Sequence, residues 1–209
     1  MLIELVESHP EFKSGKNGTI ISLGCYSECW DDSVKQSTLE LIEYFLTRKN
    51  SIQFATKRYV SHSSLEKIIP HISWKGQLCI FISSSTISKW KSVERGTDSP
   101  ENRFEGFRLS EIFDIPTYLY LKPILNNVTI CDLEEYLNII KKYKPNGVIV
   151  GGKFAKSGNV NKKLAPISEG VLQYSNYSND EQKLFIEFSK QVDTFTQSIQ
   201  AVKYWRDHA

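Results

Sequence analysis

The run Gln77-Leu78-Cys79-Ile80-Phe81-Ile82 is almost wholly apolar. A strand with one wet face alternates polar and apolar residues, because successive side chains point to opposite faces. A run without alternation is buried on both faces, and such strands belong to parallel sheets covered on either side. Outward from this run the same unit recurs. Thr19-Ile20-Ile21-Ser22-Leu23 ends at Gly24, and Ser51-Ile52-Gln53-Phe54-Ala55-Thr56 forms the next strand. Thr117-Tyr118-Leu119-Tyr120-Leu121 is stopped by Pro123, and Gly147-Val148-Ile149-Val150 is closed by Gly151-Gly152. Helical patterns lie between: Ser33 to Thr47, a short piece at Ser64 to Ile69, Glu101 to Phe113 with Phe104, Phe107 and Ile112 on one side, and Asp132 to Tyr143 with Leu133, Leu137 and Ile140 inward.

Strand, helix, parallel strand is the right-handed crossover unit. Repeated, it predicts an α/β fold with about five parallel strands, as an open sheet or partial (β/α) barrel. A closed eight-stranded barrel takes roughly 250 residues, and this chain has 209. Residues 1–179 form the barrel domain in this reading. Gly151 to Asn179, rich in Gly, Ser, Asn and Lys, reads as a long surface loop. From Asp180 to Trp205, Phe185, Phe188, Val192, Phe195, Ile199 and Val202 recur at spacings of three and four. That stripe predicts one C-terminal amphipathic helix within residues 180–209, packed on the same domain.

Charge and hydropathy weaken or exclude several classes. Twenty-six basic and 24 acidic residues give a net charge of +2, which is no nucleic-acid footprint by itself. No run of about eighteen apolar residues exists to span a membrane. Met1-Leu2-Ile3-Glu4 introduces a charge at once, with no apolar core of a signal peptide behind it. The expected compartment is the cytoplasm, where thiols stay reduced. Of the four cysteines, Cys79 and Cys131 sit in or beside apolar runs, whereas Cys25 and Cys29 flank a turn after a strand.

Short segments carry a resemblance. Glu94, Ser99-Pro100 and Arg103 fall in a loop-to-helix segment similar to one in radical S-adenosylmethionine (radical-SAM) enzymes of the spore photoproduct lyase branch. Ile115-Pro116-Thr117 followed by Lys122-Pro123-Ile124 resembles that branch's Gly-Ile-Pro … Val-x-Pro-Ile strand. Phe54-Ala55-Thr56-Lys57 resembles its Ile-x-Thr-Lys strand end, and Ile80-Phe81-Ile82-Ser83 its next strand. Leu23-Gly24-Cys25-Tyr26-Ser27-Glu28-Cys29-Trp30 resembles a glycine turn of the same branch. The likeness runs from about Thr19 to Gly152. It implies an S-adenosylmethionine site formed by Lys57, Ser83, Glu94 and Arg103. Lys57 and Ser83 would hold the methionine carboxylate, while Arg103 and Glu94 would pair to brace the loop.

One part of the family pattern is missing. A radical-SAM enzyme holds a [4Fe-4S] cluster through Cys-x3-Cys-x2-Cys, because such clusters need thiolates. Here Cys25 and Cys29 have the first spacing, and Asp32 stands at the third place. The turn is either a degenerate metal motif of Cys25 and Cys29, or the end of the family's second strand with the cluster-bearing first strand absent. The second fits the spacing to Thr56-Lys57 without a gap. It implies no cluster in the isolated chain, and an exposed edge beside Thr19–Leu23 for Leu2–Val6, a second copy or another protein to cover.

The leading expectation is a radical-SAM-like chain acting as the partner half of a split enzyme, or as a non-catalytic scaffold or binding subunit. Two alternatives stand beside it. One is a small stand-alone enzyme using Cys25 or Cys29 for metal or nucleophilic chemistry, with His62 or His71 as a base. The other is a DNA-associated repair-like module with Tyr59, Trp74 and Trp90 stacking on bases.

Overall fold

The structure is a computed structural model, and it describes residues 2–24, 27–151, 154–155, 173–174 and 179–208. In chain order the elements are α1 (Leu2–Glu7), β1 (Ile21–Leu23), α2 (Lys35–Thr47), β2 (Ile52–Thr56), α3 (His62–Leu65) and β3 (Leu78–Ser83). Then come α4 (Trp90–Val93), α5 (Pro100–Glu105), α6 (Leu109–Phe113), β4 (Thr117–Leu121), α7 (Leu133–Tyr143) and β5 (Gly147–Val150). Phe154–Ala155 (β6) and Gln173–Tyr174 (β7) pair as a separate antiparallel ribbon. The chain closes with α8 (Asn179–Ser189), β8 (Thr194–Phe195) and α9 (Ser198–His208).

The main sheet has six parallel strands in the order β1-β2-β3-β4-β5-β8 and is not closed. Chain order equals spatial order, as expected when each strand returns through a crossover on the same hand. The two faces bury different side chains. Phe54, Ile80, Ile82, Leu119, Leu121, Val148 and Val150 face the outer helices, where they meet Ile42, Phe45, Tyr136, Ile140 and Phe188. The alternate residues Cys79, Phe81, Tyr118 and Ile149 form a second cluster on the concave face. The uninterrupted apolar run from Leu78 to Ile82 is thereby explained, since both of its faces are covered.

Local signals set the helix ends. Ser99 caps α5 by accepting from the Asn102 amide, with Pro100 in the first turn where its missing N–H costs nothing. α7 places Glu134 and Glu135 in its first turn and Lys141 and Lys142 in its last, complementing the helix dipole. The predicted helix from Glu101 to Phe113 is broken by a 3-10 turn at Gly106–Arg108. That turn changes the phase, so Leu109 is buried while Ile112, expected inward, is 52% exposed.

The C-terminal expectation is corrected. The stripe from Asp180 to Trp205 is not one helix but helix, strand and helix. Val192-Asp193-Thr194-Phe195-Thr196 is rich in β-branched and aromatic residues, which favour an extended chain. Thr194 and Phe195 add the sixth strand beside Val148 and Ile149. The stripe consequently serves both faces: Leu184 and Phe188 lie on the outer face, whereas Phe195, Ala201 and Val202 lie on the concave one. α9 occupies the interior of the open barrel, and Trp205 Nε1 donates to the Tyr118 hydroxyl at 2.5 Å. Trp205 also sits against Gly76, where an added Cβ would lie 2.1 Å from the Trp205 Cβ.

Of the covers expected for the β1 edge, the N-terminal one is not a strand. Leu2–Val6 lies in the helix α1 and does not extend the sheet, with Leu2 56% and Leu5 70% exposed. Among the described residues, β1 pairs only with β2. The predicted loop 151–179 lies largely outside the described residues.

Candidate functional site

The C-terminal tips of β1 to β4 open into a cleft of about 490 Å³. In a parallel sheet this end is the ligand face, because the loops that vary and the free strand-end groups gather there. Lys57 follows β2, Ser83 ends β3 and Lys122 follows β4, and all three line the cleft. Period-two alternation places them on the concave side, since Lys57, Ser83 and Lys122 continue the rows of Ala55, Phe81 and Tyr120.

Behind this wall runs a buried charge relay. Arg103 is wholly buried and donates from Nη1 to the Ser83 carbonyl at 2.7 Å. Its Nη2 pairs with Glu94 Oε2 at 2.7 Å. Glu94 Oε1 in turn meets Lys57 Nζ at 2.8 Å and accepts the Ser85 amide at 2.8 Å. Burial alone would raise the Glu94 pKa. The charges of Arg103 and Lys57, with the hydrogen bonds from Lys57 and Ser85, outweigh it and hold the carboxyl below its ordinary range. The four residues singled out by sequence therefore form one connected network. Lys57 and Ser83 reach the cleft, whereas Glu94 and Arg103 support its wall. The Ser83 hydroxyl donates to the Lys122 carbonyl at 3.3 Å, tying the tips of β3 and β4 together.

Sequence reading missed a second carboxylate. Glu28 Oε1 accepts from Thr56 Oγ1 at 2.6 Å and from the Trp30 amide, and Oε2 accepts the Lys57 amide at 2.8 Å. It bolts the turn after β1 onto the tip of β2. Arg58 bridges the same turn to the loop before α5, pairing with Asp31 at 2.7 Å and with Asp98 at 3.3 Å. Only the adjacency of Lys57 and Arg58 hinted at this in the sequence. Arg95, Gly96 and Thr97 complete the rim.

Cys29 is only 7% exposed, and its thiol donates to the Ala55 carbonyl at 3.8 Å. It packs in the outer core with Trp30 and Phe54. Cys25 lies outside the described residues. His71 lies 3.3 Å from Glu43, and His62 is exposed on α3. Among the described residues no three His, Cys, Asp or Glu side chains gather to hold a metal ion. The place of a third thiolate after Cys25 and Cys29 is Asp32, and the Cys29 thiol packs in the core. No helix among the described residues is long and apolar enough to cross a membrane.

No family model matches the chain, and no curated protein matches it. Solved structures do. Spore photoproduct lyase complexed with dinucleoside spore photoproduct superposes with a TM-score of 0.60 over 92% of this chain, at 14% identity. SuiB of Streptococcus suis bound to S-adenosylmethionine superposes with a TM-score of 0.54 over 85% of this chain, at 10% identity. The chain shares the fold of these structures. The chain spans 64% of that spore photoproduct lyase and 39% of SuiB. A spore photoproduct lyase variant with bound S-adenosylmethionine and dinucleoside spore photoproduct gives a TM-score of 0.60 over 93% of this chain, at 14% identity and 65% of its own length.

Proposed function

We propose that this radical-SAM-like partial barrel binds S-adenosylmethionine, or a closely related adenosyl amino acid, and works as the binding half of a split enzyme or as a scaffold. The observation that carries the reading is the Lys57–Glu94–Arg103–Ser83 network set at the strand tips of a fold whose structural neighbours include proteins with bound S-adenosylmethionine. The cleft's chemistry agrees in kind. Lys57, Arg95 and Lys122 bring positive charge for a carboxylate, Glu28 and Asp31 negative charge for an ammonium or sulfonium, and Tyr120 an aromatic wall for a base. Bound there, the ligand would supply an adenosyl or methyl group to chemistry completed elsewhere.

In this reading another chain supplies the cluster that radical chemistry needs, and the edge at β1, which among the described residues pairs only with β2, is where that chain would add its strand. Calorimetric titration of the pure protein with S-adenosylmethionine tests the binding reading, with saturable binding expected and at least tenfold weakening in Lys57→Ala. No heat at millimolar ligand would overturn it. Light scattering, with mass spectrometry of material recovered from the native cell, tests the partner reading. A strict monomer with no co-purifying chain removes the split enzyme and leaves the scaffold.

A further inference from the structure

Below the cleft, the concave face carries a polar pair on β1 and β2. Ser22 and Gln53 face each other across β1 and β2 in register. They wall a recess of about 30 Å³ together with Ala55, Phe81, Tyr120 and Ser198. Ala55 and Tyr120 also line the cleft, so the recess is its floor. Gln53 is 8% exposed, and its Nε2 donates to Ser22 Oγ at 2.5 Å. Its Oε1 is buried with no hydrogen-bond partner. A buried amide oxygen is normally satisfied, and one left open beside a recess is an acceptor awaiting a donor. Across the recess, Ser198 opens the eleven-residue helix α9, whose first-turn amides carry partial positive charge. The recess thus presents an open acceptor on one wall and Ser198 on the other, with room for about one water-sized group.

We infer that the recess is a recognition subsite for the hydroxyl or carboxamide end of a small molecule whose remainder lies in the cleft, with Gln53 Oε1 accepting its donor. The inference builds on the reading of the cleft as a ligand site and adds what the ligand's inner end must be. Apolar ends are rejected, because they would leave Oε1 unmet; ends that only accept are rejected for the same reason.

The test uses acetamide and acetone, which have nearly the same shape but differ in the donor. In ¹⁵N-resolved spectra of the full chain, acetamide should shift the Gln53 side-chain amide and the backbone amides opening α9, with affinity on the order of fivefold above acetone. Gln53→Met should abolish that preference, and Gln53→Glu, which keeps an acceptor, should retain it. Equal responses to both probes, or a preference that survives in Gln53→Met, would overturn the subsite. Should Gln53→Met fail to fold, the wild-type comparison and Gln53→Glu still decide. The two readings fail separately: acetamide selectivity without S-adenosylmethionine binding sinks the nucleoside assignment alone, and the reverse result sinks the subsite alone.

Discussion

Lys57 Nζ lies 2.8 Å from Glu94 Oε1, so the lysine reaches the cleft already held in place by a buried carboxylate. A flexible lysine loses side-chain entropy when it docks a ligand, and this pairing has removed part of that cost beforehand. Lys57→Ala is therefore expected to cut adenosyl-ligand affinity at least tenfold. Lys57→Ala also strips one supporting charge from buried Glu94, so stability should fall too, but by less than in the Arg103 variant, because Lys57 is partly exposed and Arg103 remains paired. Titration calorimetry and urea unfolding on the same preparation separate the two effects.

Arg103 behaves differently because nothing solvates it. Arg103→Met leaves Glu94 buried with Lys57 and the Ser85 amide as its remaining support. Breaking one side of a buried ion pair costs about 3–5 kcal/mol. The planar guanidinium spans the Ser83 carbonyl and Glu94 at once, so Arg103→Lys should fail to restore stability. A urea midpoint for Arg103→Lys equal to wild type would contradict this account of the wall.

Acid should expose the same network. The Glu94 carboxyl titrates below its ordinary range in the folded chain. Its contribution is thus complete above the unfolded glutamate value of about 4.3 and lost as pH falls through the lower folded value. Asp132 acts in the same direction: burial would raise it, but hydrogen bonds from Ser88, Thr86 and the Ile87 amide hold it down. The urea midpoint should therefore decline between about pH 5 and pH 2, less steeply in Glu94→Gln than in wild type. Parallel slopes in the two proteins would assign the acid sensitivity elsewhere.

α9 should be indispensable to solubility. Deleting residues 198–208 uncovers Phe81, Tyr118 and Ile149, against which Ala201 and Val202 are packed. An apolar patch of that kind promotes association, so the truncated chain is expected to aggregate or bind a hydrophobic dye. A finer probe is Gly76→Ala, which puts a methyl group into Trp205 at a backbone φ of +82°. Overpacking and strain together should cost about 1–3 kcal/mol. The double variant with Trp205→Ala removes the ring but keeps the Trp205 Cβ that the methyl meets first, so it should recover little of that cost.

Much of the fold was legible in the chain itself. The continuous apolar run Leu78–Ile82, short and bounded by turn signals, reads as a strand buried on both faces, and Ser99-Pro100 marks the start of α5. The grouping of Lys57 and Ser83 followed from parallel geometry, because strand-end residues on one face must converge. Four things needed the folded chain. A spacing of three and four at Phe188, Val192, Phe195 and Ile199 is the same whether the chain stays helical or extends for a few residues. The free edge of β5 decided for a strand, by offering backbone partners to Thr194 and Phe195. The placement of α9 inside the barrel was likewise invisible, since periodicity reports that a face is apolar and not which surface covers it. Glu28 and the open oxygen of Gln53 complete the list. Whether a buried polar atom is met or unmet depends on groups brought from distant parts of the chain, and only tertiary packing decides that.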